Sequence, residues 1–580
     1  MPQATGIDSA MTREPSGFPS PERSSLLRDQ RGWLALLLLV VAVGGTLRFY
    51  NLSERGFWAY DEAFYGNNAA APILAFKWLA ANLGELRSGE VGIGGLIEHL
   101  RVRGAPAELA VKPGHTMTLA MGFAVLGISD FSALAVSALI GLMVVPAVFI
   151  AGRRWYGNVT ALVAATVVAV SGNQVHFSRT AYPQTDTVLL GFLGACLFVW
   201  SLDRNGRAQF ITLAFAGLAF GLALTMHPSV VLLAAVVVMA EGWRWLRTKS
   251  FRSSEGWGRA LSLTVPMLVP TLLIEGAMRL VFARIAWTEL GLTRPRTFLE
   301  WMLGTKVGMV QQSFYPSAEG LLSYVQIFGE MEGPLVCSMA LVGGAVLWKK
   351  LRRQGSLPDV VVLMGLVVPM VFWSIYGGHR ATTRAIQVAV PFLALLAGVG
   401  AAWLIPRLTS ALGSRRWSNG VFAAFLAATV AWGTWNLSDL LWRISGYSEA
   451  AEQTLAYVAE HGGAVTRAHT QLWPVRAFYL GRLVDDMPVH VTERIDLQTD
   501  GLQGDFVELH GSRYLDPEAS QYLVDMTTGC EPIARVRNSA GTVAVRYASH
   551  GGAAFREHLS EAYSSHDDMD WILIYDLRRC

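Results

Sequence analysis

The recurrence of long apolar runs constrains this chain more than any other feature. They lie at 33–50, 115–151, 159–176, 187–202, 209–226, 229–243, 260–283, 333–348, 358–376, 385–405 and 420–441. Each is long enough, or nearly so, to cross the roughly 30 Å hydrocarbon layer of a bilayer as a helix. Backbone inside hydrocarbon must satisfy its own hydrogen bonds, so such runs fold as helices. The expected architecture is a polytopic α-helical membrane protein of about 11–13 transmembrane helices, followed by a small extracytoplasmic α/β domain. The charged fraction of 16% agrees, being well below the roughly one quarter of soluble domains. A net charge of +3 is close to balance and implies no nucleic-acid partner.

Basic residues in short loops orient such a chain, because they stay on the cytoplasmic side. Arg28 and Arg31 place the N-terminus inside, and residues 1–30, rich in Ser, Pro, Arg and Glu, read as a disordered cytoplasmic tail. The 33–50 run has no small-residue cleavage site after it, so it is a retained first helix. Arg153-Arg154, Arg244 to Arg252, Lys349 to Arg353, and Arg407 with Arg415-Arg416 mark further inside loops. They all fall inside if 115–151, which is split at Ser129-Asp130, makes one net crossing; an extra passage within 51–114 would restore the same parity downstream but would put Lys112 inside. With one net crossing the transmembrane region spans 31–444, and four polar clusters share the outer face.

Asp61 and Glu62 head those clusters, within the aromatic stretch Phe57-Trp58-Ala59-Tyr60-Asp61-Glu62-Ala63-Phe64-Tyr65. An ionised carboxylate beside a bilayer is costly, so it is usually functional or paired. Lys112-Pro113-Gly114-His115, Arg179 to Asp186, and His227-Pro228 follow, with a later basic turn carrying His379, Arg380 and Arg384. The outer loop 51–114 is too long to be structureless and should carry interfacial helices, one of them over 69–83.

Together these residues point to one chemistry. Partial desolvation raises a carboxylate's affinity for protons, which suits Asp61 to general-base work. Glu62 would orient the base or an acceptor. Lys112, Arg179, Arg380 and Arg384 are fixed cations, and arginine matches phosphate oxygens bidentately. Asp186 would place a cation or a sugar hydroxyl. A phosphate leaving group needs that positive charge as it departs, and direct attack by a deprotonated hydroxyl would invert the anomeric carbon.

Residues 445–580 change character. A helix is expected over 448–460, ending at Gly462-Gly463. Strands are expected at 487–495, 505–509, 531–537, 542–547 and 571–575. An odd number of crossings places this domain outside. Cys530 and Cys580 lie within it and could pair there, whereas Cys196 and Cys337 sit in apolar runs. No CxxC or Cys/His metal spacing occurs.

The order of these motifs resembles that of the dolichyl- and polyprenyl-phosphate-mannose protein mannosyltransferases and the bacterial aminoarabinose lipid A transferases, both of the C-type glycosyltransferase superfamily. The residues that carry it are Asp61-Glu62, Lys112-Pro113, Phe177-Ser178-Arg179 through Asp186, and His379-Arg380 with Arg384 and Pro391-Phe392. The resemblance implies a polyprenyl-phosphate-sugar donor, inverting transfer to a lipid, glycan or protein acceptor, and a site at the outer face of the cell membrane. In it Asp61 is the catalytic base and Glu62 helps hold the acceptor. Lys112, Arg179, Asp186, Tyr65, His379, Arg380 and Arg384 bind donor phosphate or substrate. Gly114 stands where the family commonly has a second proline, and Val111 stands where the lipid A transferases carry a metal-binding Glu. His115 and His227 are the residues that could take over a divalent cation. Two other readings compete: a flippase for lipid-linked glycans, and a non-catalytic glycan-binding relative.

Overall fold

A computed structural model of the chain describes residues 30–92, 94–96, 99, 112–248, 253–276, 318–354, 356–377, 383–411, 417–461, 467–469, 475, 478–479, 490–492, 506–511, 517–539, 565 and 570–580. Among the described residues ten helices are long and apolar enough to cross a membrane, and eleven if the bent pair Asn158–Val170 and Gly172–Ser178 is one span. Ten of the eleven expected apolar runs overlap such a helix and the eleventh, 159–176, overlaps the bent pair; the chain is a multi-span membrane protein. The 115–151 region divides where the sequence suggested. Its first piece, Pro113–Leu126, has 14 residues, about 21 Å of helix at 1.5 Å per residue, short of a full crossing. Its second, Asp130–Tyr156, has 27. Ser129 separates them, and its hydroxyl accepts from the Ser132 amide to start the second helix.

Between helices in lipid the hydrophobic effect drives little, so close backbone approach matters. Gly217 and Gly221 supply it in the helix Arg207–Met226, where a Cβ would stand 2.1 Å from the Leu263 carbonyl oxygen and 2.4 Å from that of Met267. Gly343 and Gly400 do the same between Pro334–Gln354 and Val390–Ala411. Asn158–Val170, Gly172–Ser178 and Val390–Ala411 are enclosed by their neighbours over most of their length. The helix Ser418–Trp442 lies at its rim and exposes Trp417 at one end and Trp435 and Trp442 at the other. Trp417 and Trp435 are separated by about 27 Å of helix, matching two interfacial belts.

The loop 51–114 contains the helix Tyr60–Ala81. Its first half is buried, from Glu62 to Ala71, and its second half exposes Phe76 and Leu79. The first half packs against the helix Pro113–Leu126, and residues 72–81 are half-buried or exposed.

The C-terminal region is a helix, Tyr447–His461, on a five-stranded mixed sheet. The strands are β1 (Arg467–His469), β2 (His490–Thr492), β3 (Phe506–His510), β4 (Ala534–Arg537) and β5 (Trp571–Asp576), in the order β2-β1-β3-β5-β4. β1 pairs in parallel with β2 and β3, and β5 is antiparallel to β3 and β4. Four expected strands overlap observed elements; 542–547 lies outside the described residues. β1 and the helix Pro517–Met526 were not anticipated. Cys530 and Cys580 form a disulfide.

Candidate active site

The helix Tyr60–Ala81 begins with its two acids in its first turn, and they part company at once. Glu62 turns inward and is fully buried. One oxygen accepts from the Trp58 amide at 2.6 Å and the Ala59 amide at 3.2 Å. This is the glutamate half of a capping box, and Ala59 has no side-chain oxygen to supply the other half. The second oxygen meets Arg55 Nη2 at 2.9 Å and accepts from the Ala181 amide at 3.3 Å. Arg55 is itself fully buried and stacks 3.9 Å over the Trp58 ring.

Asp61 points the other way, with about a third of its side chain exposed. Its Oδ2 accepts from Arg384 Nη1 at 2.8 Å across 323 positions of sequence. The Arg384 guanidinium lies 4.1 Å over the Tyr182 ring, a cation–π contact that holds it in place. One turn beyond Asp61, the Tyr65 hydroxyl accepts from Lys112 Nζ, whose ammonium also lies 4.7 Å over the Tyr65 ring. Burial draws the Lys112 ammonium down to about 8, against the pull of Asp61, which raises it, and helped by Arg384. Lys112 adopts φ 54° and ψ 58° before Pro113. Left-handed backbone is uncommon for a residue with a side chain and costs energy.

His115 sits three residues into this second element and is fully buried. Its Nδ1 is 2.6 Å from Asp186 Oδ2 and its Nε2 is 3.0 Å from the Ala181 carbonyl oxygen. A carbonyl only accepts, so Nε2 carries a hydrogen, and Nδ1 is held against the carboxylate. Both ring nitrogens are therefore engaged, and neither offers a lone pair to a metal. His227 Nδ1 accepts from the Ser229 amide and caps the short helix Pro228–Val230. Among the described residues no group of three His, Cys, Asp or Glu stands close enough together to hold a metal ion.

Arg179 takes a different place from the one expected. It is fully buried, and its Nη1 donates to the carbonyls of Leu47, Arg48 and Tyr50, at 3.2, 3.3 and 2.6 Å. These are the free acceptors at the end of the first helix, Gln30–Phe49, so Arg179 acts as its cap. Of the sequence-derived candidates, Asp61, Tyr65, Lys112 and Arg384 converge on one spot. Glu62, His115 and Asp186 form the layer beneath, Arg179 and His227 cap helices, and His379 and Arg380 lie outside the described residues.

Residues that the sequence did not single out complete the arrangement. Tyr182 carries Arg384, and Arg55 neutralises Glu62. The C-terminal region also braces the loop in front of Asp61. Tyr479 Oη accepts from the Phe57 amide at 2.9 Å and donates to Asp130 at 2.8 Å. The Ser445 amide donates to the Arg55 carbonyl at 2.9 Å.

Residues 111–274 match the model of the dolichyl-phosphate-mannose-protein mannosyltransferase family, a stretch that holds Lys112, His115, Tyr182 and Asp186. No curated protein sequence matches significantly. Among solved structures, ArnT from Cupriavidus metallidurans bound to undecaprenyl phosphate is similar at a TM-score of 0.53 and 14% identity. That match covers 95% of this chain and 98% of that one. The apo oligosaccharyltransferase of Archaeoglobus fulgidus is similar at 0.51 and 11% identity, covering 84% of this chain and 70% of that one. The archaeal oligosaccharyltransferase AglB from the same organism, in complex with an inhibitory peptide and a dolichol-phosphate, is similar at 0.51 and 10%, covering 85% and 71%. These likenesses establish the fold.

Proposed function

We propose that the chain is a C-type glycosyltransferase of the protein-mannosyltransferase and ArnT type, which moves a sugar from a polyprenyl-phosphate carrier to an acceptor hydroxyl at the outer face of the cell membrane. The observation that carries the reading is Asp61, a partly exposed carboxylate set among Lys112, Arg384, Tyr65 and Tyr182. A base needs access to the acceptor, and a phosphate leaving group needs cations beside it.

In the proposed reaction Asp61 takes the proton of the acceptor hydroxyl. The resulting oxygen attacks the anomeric carbon as the bond from that carbon to the phosphate oxygen breaks. Configuration inverts, and the polyprenyl phosphate leaves with the bonding electron pair. Lys112 and Arg384 offset the charge on the departing phosphate, Lys112 as a point charge and Arg384 through its planar fork. Glu62 serves the reaction by holding the first turn that aims Asp61. The acceptor is a lipid, a glycan or a protein hydroxyl.

The deciding experiment is label transfer from a panel of polyprenyl-phosphate sugars into a cell-envelope fraction. Loss of the base in Asp61→Asn is expected to cost about 10²- to 10⁴-fold in rate with folding intact. Normal turnover by that variant would remove Asp61 from the chemistry.

The membrane orientation belongs to the same proposal. With the bent helix pair as one span, Arg153-Arg154, Arg244 and Lys349 to Arg353 share one side, and Asp61, Lys112 and Arg384 share the other. The positive-inside rule makes the first side cytoplasmic. The Cys530–Cys580 disulfide favours an oxidising compartment for the C-terminal domain, taken as 445–580. A cysteine at the exposed Glu449 should react with an impermeant maleimide added outside right-side-out vesicles. Labelling only after the vesicles are opened would reverse the orientation.

A further inference from the structure

As the structure stands, the base and a phosphate-binding cation neutralise each other. Asp61 Oδ2 holds Arg384 Nη1 at 2.8 Å, so the carboxylate that should take a proton is already paired. The pairing is a poor one for arginine. It uses a single nitrogen, while Arg384 Nε is buried and has no hydrogen-bond partner among the described residues. Both side chains are about a third exposed, 29% for Arg384 and 35% for Asp61, so solvent screens the attraction. A phosphate group offers several oxygens and can satisfy a guanidinium bidentately. The guanidinium rests on the face of Tyr182 at 4.1 Å, and a ring face fixes its height but tolerates lateral movement. Lys112 is not held in this way, because its partner is the neutral Tyr65 hydroxyl.

We propose that Arg384 is a shared ligand, parked on Asp61 when no donor is present and drawn off by the donor phosphate, so that donor binding frees the base. The inference rests on Asp61 being that base. In the exchange one Nη1–H hydrogen bond passes from Asp61 Oδ2 to a phosphate oxygen. No covalent bond changes and no proton moves. The order of events follows from this: the donor enters first, and an acceptor arriving alone meets a carboxylate that is already engaged.

The exchange predicts that removing the base improves donor binding. Without a charged rival, Arg384 is available from the start, so Asp61→Asn should bind undecaprenyl phosphate about fivefold more tightly than wild type, the equivalent of a modest ion pair. General charge repulsion would also tighten binding, and a double-mutant cycle separates the two. The probe is undecaprenyl phosphate titrated into wild type, Asp61→Asn, Arg384→Gln and the double variant, all in nanodiscs, with Lys112 intact throughout. The gain from Asp61→Asn should vanish in the Arg384→Gln background. An equal gain in both backgrounds would overturn the exchange in favour of simple repulsion. Unchanged or weaker binding by Asp61→Asn would overturn it outright. If Arg384→Gln fails to bind, Arg384→Lys, which keeps the charge and loses the fork, serves as the background with the same expectation in reduced degree. Transfer assays distinguish the two levels of failure. Asp61→Asn that still transfers sinks the base, whereas loss of transfer without tighter donor binding sinks only the exchange.

Discussion

The adjacent acids make opposite predictions, and Glu62→Gln is the sharper test. Glu62 is fully buried, pairs with the fully buried Arg55 at 2.9 Å, and accepts from three backbone amides at 2.6, 3.2 and 3.3 Å. Glutamine keeps one acceptor oxygen, enough for the Trp58 and Ala59 amides. Its NH₂ must then face Arg55 and the Ala181 N–H, both donors. Removing one partner of a buried ion pair costs about 3–5 kcal/mol. The retained oxygen puts this variant near the lower end, about 3 kcal/mol, or more than a hundredfold in the folding equilibrium. Asp61→Asn breaks a pair that is a third exposed and should cost about 1 kcal/mol or less. Unfolding midpoints of wild type, Glu62→Gln and Asp61→Asn in the same detergent, read beside transfer activity, separate the two roles. Glu62→Gln should lose stability and recover much of its transfer when assayed cold, whereas Asp61→Asn should keep stability and lose transfer. A Glu62→Gln protein as stable as wild type but inactive at every temperature would show that Glu62 acts on the substrate, and the division of labour would be wrong.

Two further measurements bear on the same region and on the C-terminal domain. The Lys112 ammonium, drawn down to about 8 by burial, is charged below that pH and neutral above it. An anionic donor needs the charged form, so kcat/KM for the donor should hold below about pH 7 and fall as pH rises through about 8. Lys112→Arg should remove that inflection, and an unshifted fall in the arginine variant would assign it elsewhere. The Cys530–Cys580 bond closes a separation of 50 residues, worth about 4 kcal/mol by loop-closure entropy. Denatured, unreduced protein should titrate two thiols, those of Cys196 and Cys337, and four after reduction. Cys530→Ser should lower the unfolding midpoint of the C-terminal sheet.

The apolar runs were legible because a bilayer imposes one length on every crossing, and no local propensity competes with it. Asp61, Lys112 and Arg384 were legible because charges beside lipid need a reason to be there. Their surroundings were less so. Asp61 and Glu62 are neighbours with similar local sequence, and which one turns inward depends on Arg55 one short helix earlier. Arg179 looks like a phosphate ligand in sequence. It becomes a cap only because the end of the first helix, some 130 positions away in the chain, comes to rest against it. The three-residue strand β1 is too short to leave a period-2 signal. The helix Pro517–Met526 did leave a helical signal, with proline at its first position and the apolar Leu523 and Met526 three residues apart.

The segment 179–183 explains why parts so far apart in sequence meet at one place. Arg179 binds the end of the first helix, and the Ala181 peptide is gripped from both sides. Its N–H goes to Glu62 at the start of the acidic helix, and its carbonyl takes His115 from the helix that follows Lys112. Tyr182 carries Arg384, and Asp186, just beyond, closes on His115. Both groups are main chain, so this node ties together the two helices that present Asp61 and Lys112 without drawing on the side chain of the buried Ala181. The protein thereby keeps its rigid contacts on main chain and buried ions. The partly exposed Asp61–Arg384 pair is left as the contact that substrate can rearrange at least cost.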